Sequence, residues 1–263
     1  MKKINSFINF DIKEGKKIYF SSDNHLGAPN REESLLREKR FVQWLDSIKE
    51  SASAIFFLGD LFDFWFEYKK VVPKGFVRVL GKLAEISDKG IPIYFFLGNH
   101  DMWMDGYLEK ELNIHVFDKP KRFIINNKHF LIGHGDGLGP GDKGFKRMKK
   151  VFKNSLSKFL FRWIHPDIGV RIAQYLSTKN KLLSGVNDIE FKGEENEWLV
   201  QYCKKILINE KIEIFIFGHR QLPLDIKISE SSKYINLGDW FSYFSYAVFD
   251  GADLDLKYYK DQS

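Results

Sequence analysis

The chain has 263 residues, 44% hydrophobic and 29% charged, which fits one large globular domain with room for a sizeable insertion. A single cysteine, Cys203, excludes an internal disulfide framework and fits a reducing compartment; no apolar run approaches the ~20 residues needed to cross a bilayer, and Met1–Phe10 lacks the apolar stretch of a signal peptide, so a soluble or membrane-surface protein is expected. The net charge of +6 is concentrated: residues 141–182 hold eleven Lys/Arg and two Asp, an excess of +9, so the rest sums to −3 and an anionic partner is expected for that one segment.

The first apolar run, Ile18–Ser22, predicts a strand whose tip, Asp23–Ala28, opens with Asp23-Asn24-His25. Residues 32–50 read as a helix with Leu35, Val42, Leu45 and Ile48 on one face. Ala54–Leu58 predicts a strand buried on both faces, ending in Gly59-Asp60 and continued by the aromatic stretch Phe64-Trp65-Phe66-Glu67-Tyr68. A helix over 74–87 turns Phe76, Val79, Leu80 and Leu83 inward. Gly90-Ile91-Pro92 then leads into a third strand, 93–97, which ends at Gly98-Asn99-His100-Asp101. This alternation predicts parallel pairing.

Beyond Asp101, three short strands, Ile114–Phe117, Arg122–Ile125 and His129–Ile132, are expected to form a second, mixed sheet, with Asn126-Asn127 as a hairpin turn and Gly133-His134-Gly135-Asp136 at the end. From 141 to 191 there is no strand pattern; Phe145, Met148, Phe152, Leu156, Phe159 and Trp163 keep helical spacing with lysines between them. A helix over 195–208 follows, with Trp198, Leu199, Tyr202 and Ile206 inward. Strands 212–217, 225–228, 233–237, 245–249 and 254–258 close the chain, the first ending in Gly218-His219-Arg220-Gln221. The expected organisation is one domain over 1–263 with a helical insertion at 141–191.

In open α/β sheets the site lies at the carboxyl ends of the strands, so the five tips are expected to converge. They supply Asp23, His25, Asp60, Asn99, His134 and His219. Carboxylate, imidazole and amide oxygen together suit Mn²⁺, Fe²⁺ or Zn²⁺ better than an all-oxygen calcium site or an all-thiolate zinc site. Asp23 and His25, spaced i, i+2, can face one side of an extended tip. Any one of these residues could instead serve a turn or a structural hydrogen bond. Four of the seven histidines lie in the tips, however, and the donors outnumber one tetrahedral shell, which points to two metals.

Asp23-Asn24-His25, Gly59-Asp60, Gly98-Asn99-His100-Asp101, Gly133-His134 and Gly218-His219 resemble, in order and spacing, the five blocks of the calcineurin-like metallophosphoesterases. The resemblance runs from about residue 18 to 240. It implies an α/β fold, a two-sheet sandwich flanked by helices (α/β/β/α) with a helical lid insertion. It also implies two divalent metal ions, manganese first, with iron or zinc as alternatives. Asp60 would bridge them, Asp23 and His25 would bind the first, and Asn99, His134 and His219 the second. His100 would stabilise the transition state or protonate the leaving group, with Asp60 and Asn99 completing the catalytic set. One position departs from the pattern: the family's last block reads Gly-His-x-His, and here its final residue is Gln221, a neutral and weaker donor to the first metal.

Gly59-Asp60-Leu61-Phe62-Asp63-Phe64-Trp65 and His134-Gly135-Asp136, followed by a basic helical insertion, look like the branch of the family that acts in lipid A biosynthesis. That branch splits the pyrophosphate of a UDP-linked diacylglucosamine into UMP and lipid X. The resemblance implies substrate contacts at Asn99, His100 and His219 and, in the insertion, at Asp142, Asn180 and Lys181. It implies a cytoplasmic protein held peripherally on the cytoplasmic face of the inner membrane. A helix with Phe and Trp on one face and Lys on the other can lie on an anionic interface. The aromatic tip at 62–68 and the Phe-rich insertion favour a lipid-linked substrate over a nucleic acid. The alternatives are another metallophosphoesterase, such as a nuclease or phosphoprotein phosphatase, or a non-catalytic membrane- or nucleic-acid-binding module with a weakened metal site. The oligomeric state is left open.

Overall fold

The computed structural model describes residues 7–140, 143–173, 175, 190–191 and 193–260. Its layering follows from β3 (Ala52–Phe57), in which every residue is buried. Successive side chains of a strand point to opposite faces, so a strand buried on both faces must be covered on both. Ala54 and Phe56 enter an apolar layer between two sheets, and Ile55 and Phe57 enter another beneath helices.

One sheet has the order β12 (Leu254–Tyr258), β11 (Ser245–Phe249), β2 (Lys17–Ser21), β3, β4 (Ile93–Phe96) and β5 (His115–Phe117). The other runs β1 (Ile8–Phe10), β6 (Lys121–Ile125), β7 (Lys128–Ile132), β8 (Ile214–Phe217), β10 (Lys233–Leu237) and β9 (Pro223–Lys227). Phe20, Phe56 and Phe96 of the first sheet meet Phe123, Phe130, Ile132 and Ile216 of the second in the middle layer. Helices α1 (Arg31–Ile48), α2 (Val77–Asp88) and α3 (Tyr107–Leu112) cover the first sheet. Helix α6 (Trp198–Leu207) covers the second through Leu199, Val200 and Cys203. The fold is therefore the expected α/β/β/α sandwich.

The long-range order corrects the sequence reading in two places. Strand β5, expected in the second sheet, pairs in parallel with β4 in the first. The six-residue helix α3 supplies the crossover: it returns the chain in the same direction beside β4, as a βαβ unit does. Strand β1 was not expected; it adds in parallel to β6. On α1 the buried face includes Arg37 and Glu38 as well as Phe41, Trp44, Leu45 and Ile48. Helix α2 has no local side-chain cap; instead Glu38 Oε1 accepts from the backbone N–H groups of Arg78 and Val79, each at 3.1 Å. That satisfies two first-turn donors and places negative charge at the helix N-terminus.

In the insertion the helical pattern is broken in two, α4 (Lys143–Phe152) and α5 (Ser155–Arg162), with Asn154 capping the second through Leu156 N at 2.8 Å. Residues 166–173 are also helical. The expected single apolar face does not form. Phe152 turns onto Trp103 (centroids 5.5 Å apart), and Phe161 packs on Phe66 and Trp103 at 4.6 and 4.8 Å. Leu156, Phe159, Leu160 and Trp163 are exposed instead, Trp163 by 78%. The side chains of Phe145 and Met148 lie outside the described ones, as do Asp142, Asn180 and Lys181 altogether.

Candidate metal centre

Strands β2, β3, β4, β7 and β8 all end on one side of the sandwich, and their tips crowd together. A Cβ on Gly59 would lie 2.7 Å from both the Gly98 backbone nitrogen and the His134 ring, and one on Gly98 would overlap the Asp60 carboxylate. The glycines before Asp60 and Asn99 are thus demanded by the approach of neighbouring tips. Asp23, His25, Asp60, His219 and Gln221 all adopt left-handed backbone angles, φ between 44° and 66°. Such angles are rare for residues with a side chain and cost roughly 1–3 kcal/mol each unless the surroundings impose them. They also replace the extended tip expected for Asp23 and His25: the two reach one side through a turn.

Asp60 is the centre of the arrangement. Its Oδ1 accepts the His100 backbone N–H at 2.9 Å. Its Oδ2 is left between two imidazoles, 3.3 Å from His134 Nε2 and 4.0 Å from His25 Nε2. Two donor clusters therefore share one carboxylate: Asp23, His25 and Asp60 on one side, Asp60, His134 and His219 on the other. Asn99 Oδ1 joins the second at 3.3 Å from His134 Nε2. Gln221 stands beside the first, its amide Nε2 donating to His25 Nε2 at 2.7 Å and lying 3.5 Å from Asp23 Oδ1; only its carbonyl oxygen could ligate a cation. Of the residues anticipated for the tips, none lies elsewhere.

The rings are fixed by their outer nitrogens. His134 Nδ1 lies 2.6 Å from the Leu58 carbonyl, which can only accept, so that nitrogen carries a proton and Nε2 is the one that faces Asp60. His100 Nδ1 is held in the same way by the Asp63 carbonyl at 2.8 Å. His25 Nδ1 has the Asp63 carboxylate at 3.3 Å. Ser22 donates to Asp23 Oδ2 at 2.5 Å, and the His219 backbone N–H reaches the same oxygen at 2.9 Å. Arg37, from within α1, donates to the His25 carbonyl at 2.9 Å. Asp101 clamps two tips together by accepting from Gly98 N at 2.7 Å and Leu61 N at 3.0 Å.

Burial opposes charge on Asp60 and His134, yet each overcomes it through its neighbours of opposite charge. Burial works against ionised Asp60, but His134, His100 and His25 hold its carboxyl well below the usual carboxylate range. Burial likewise works against a charged His134, but Asp60, Asp23 and Asp136 push it up to about 10. His219 moves the other way, lowered by burial and by the charge on His134. Without a cation the centre thus draws one proton onto His134, on the nitrogen that faces Asp60. The surplus negative charge that draws this proton is one a divalent cation would offset, displacing the proton to bind Nε2.

The profile described as calcineurin-like phosphoesterase matches residues 16–223. The chain belongs to the calcineurin-like phosphoesterases. It is 39% identical over 257 residues to a UDP-2,3-diacylglucosamine hydrolase of Porphyromonas gingivalis, covering 93% of this chain and 98% of that one. A protein of the same name from Histophilus somni is 26% identical, covering 86% of this chain and 92% of that one. Another from Vibrio vulnificus is 28% identical, covering 85% and 89%. As a calcineurin-like phosphoesterase the chain is a metal-dependent hydrolase, and no described helix is long and apolar enough to cross a membrane.

Ser22, Arg37, Asp63 and Asp101 are the site residues that sequence reasoning did not single out. Asp63 and Asp101 carried a signal, since Asp101 closes the third tip and Asp63 stands three residues after Asp60. Arg37 carried none, because its role depends on how α1 crosses the sheet.

Proposed function

We propose that the chain hydrolyses the pyrophosphate bond of UDP-2,3-diacylglucosamine, releasing UMP and leaving the acylated sugar phosphate, lipid X. The observation that carries this reading is the pair of donor clusters sharing Asp60, set beside an insertion that is basic and aromatic. In this reading Asp23, His25, Asp60 and Gln221 hold one divalent cation and Asp60, Asn99, His134 and His219 the other, with manganese the first candidate and iron or zinc the alternatives. When bound, such a pair of cations lowers the pKa of a water and neutralises charge on a phosphate group.

The chain's own residues do the rest. The Asp63 carbonyl fixes the His100 ring at Nδ1, so Nε2 is the nitrogen available to a substrate oxygen. His100 then serves to stabilise the phosphoryl oxygens or to give a proton to the departing phosphate. Asn99 and His219 contact the substrate from the second cluster. The basic insertion faces the acylated part, and Phe159, Leu160 and Trp163, exposed in the same segment as the exposed Arg147 and Lys150, meet an anionic membrane surface. The protein thus works from the cytoplasm on the inner membrane's cytoplasmic face.

The deciding assay compares three substrates with the Mn²⁺-loaded protein: UDP-2,3-diacylglucosamine, a single-stranded oligonucleotide and a phosphopeptide. UMP release at a kcat/KM at least ~10²-fold above the other two is expected, a gap of about 2.7 kcal/mol. Preference for the oligonucleotide or the phosphopeptide would reassign the substrate class.

A further inference from the structure

Between His219 and Gln221 stands a residue that neither cluster uses. Arg220 is only 3% exposed, and so is its partner Glu197, the residue at the start of α6. The guanidinium forks onto the Glu197 carboxylate, Nε at 3.0 Å from Oε2 and Nη2 at 3.1 Å from Oε1. Nη2 also donates to the Glu190 carbonyl at 2.9 Å, where the chain leaves the insertion. The Trp198 ring lies 5.8 Å from the guanidinium carbon and meets the His219 ring edge-on at 6.4 Å. The first turn of α6 in turn abuts the His134 tip: a Cβ on Gly135 would lie 3.1 Å from Leu199, and one on Gly139 would lie 2.5 Å from the Trp198 carbonyl.

Two charges buried this deeply cost several kcal/mol each in desolvation, and their attraction offsets it only when the geometry is good. Here the pair is bidentate, which satisfies that condition. The backbone it holds is unusual: His219 and Gln221, on either side, are both left-handed, φ 66° and 55°. Two such residues in three are imposed by their surroundings. With Arg220 drawn toward α6, its two neighbours turn to the donor clusters around Asp60 that would hold the cations. An apolar residue would fill the same space without fixing the direction of this turn.

We infer that Arg220 is a positioning residue: its buried fork onto Glu197 and Glu190 holds the tip so that His219 and Gln221 face the cations, and ties the exit of the insertion to the metal centre. The cation arm of the test rests on the reading given above; the exchange arm does not. Replacing Arg220 alone would leave Glu197 charged and buried, which destabilises any fold. The informative variant is Arg220→Leu with Glu197→Leu, because swapping a whole buried pair for apolar residues is often neutral in stability. Unfolding temperature, Co²⁺ titration with the visible absorption of the bound ion, and amide hydrogen exchange at 190–197 and 218–222 are measured on it and on the parent protein. A stable fold is expected, with Co²⁺ affinity reduced ~10-fold or more, an altered Co²⁺ spectrum, and faster exchange in both segments. Parent-like affinity, spectrum and exchange in a stable double variant would overturn the inference and leave the pair a packing device. If the parent itself binds no Co²⁺, the two-cation reading fails, and exchange alone judges the clamp. Should the double variant not fold, Glu197→Gln replaces it, keeping the shape and one acceptor; weakened Co²⁺ binding supports the inference and unchanged binding sinks it.

Discussion

The two donor clusters on either side of Asp60 are built to different standards. On one side His134 is locked by the Leu58 carbonyl, stands against Asn99, and meets a second imidazole, His219, with ring centres 5.0 Å apart. On the other, Asp23 and His25 are as well buried, but the remaining position is an amide, Gln221, in contact with His25 at 2.7 Å. Both sides draw on the same carboxylate, so the difference lies in their outer donors. Imidazole binds Mn²⁺, Fe²⁺ or Zn²⁺ better than a carboxamide does. If both clusters hold a cation as proposed, the side that relies on Gln221 should hold it more weakly.

The harshest way to break the comparison is to remove what the two sides share. Asp60→Ala should empty both positions and cut turnover by at least ~10²-fold, the upper range for damaged metal sites. Elemental analysis after dialysis checks it, and retention of one cation would show that Asp60 belongs to one side only. Strengthening the weaker side is the next test. Gln221→His should tighten the looser cation by ~10-fold while leaving the tighter one alone; Mn²⁺ titrations of both forms that overlap would mean that the amide is an adequate donor.

The protonation of His134 sharpens the comparison further. Its folded value of about 10 exceeds the ordinary 6.5, so the proton it holds stabilises the cation-free fold fully below about 6.5. That stabilisation is lost as pH rises toward about 10. Cation-free protein should therefore unfold at least ~2–4 °C lower at pH 9.5 than at pH 7, the shift expected of about 1 kcal/mol. Cation affinity should rise over the same interval, because less proton competes. Thermal unfolding with and without Mn²⁺ measures both; a rise in cation-free stability across that interval would place the proton elsewhere.

The smallest effects are expected in the insertion. Phe161→Ala removes a ring lodged on Phe66 and Trp103 and should cost about 1 kcal/mol, the ordinary size for a point change. Phe159→Ala, at an exposed ring, should stay within about 0.5 kcal/mol yet weaken binding to vesicles containing anionic lipid. Equal stability losses in the two would show that the exposed ring is also part of the core.

What the sequence determined by itself was the parts that depend on short-range pattern. Apolar runs of four to six residues could only be strands between two layers, and the Asp, Asn and His at their ends were legible because a donor set announces its chemistry by residue type. The departure at Gln221 was legible only against the Gly-His-x-His block of the family the chain resembles. Residues 141–191 stood out as a break in pattern and a charge excess. Which of its rings turn inward was not, because Trp103 and Phe66, far away in the chain, select Phe152 and Phe161 and leave Phe159 outside. The three-residue strand β1 was too short for periodicity to assign; β5 was read as a strand, but the six-residue helix α3 decided its sheet. Asp and His tolerate the left-handed turns at Asp23, His25, Asp60 and His219 better than most residue types do, but that preference alone does not predict them, and packed neighbouring tips impose them, as at Gln221. Arg37, Glu38, Arg220 and Glu197 read in the sequence as ordinary charged residues. Only the tertiary structure buried them, and burial converts a charge from surface ornament into a fixed hydrogen-bonding strut, because in a dry interior it must be paired.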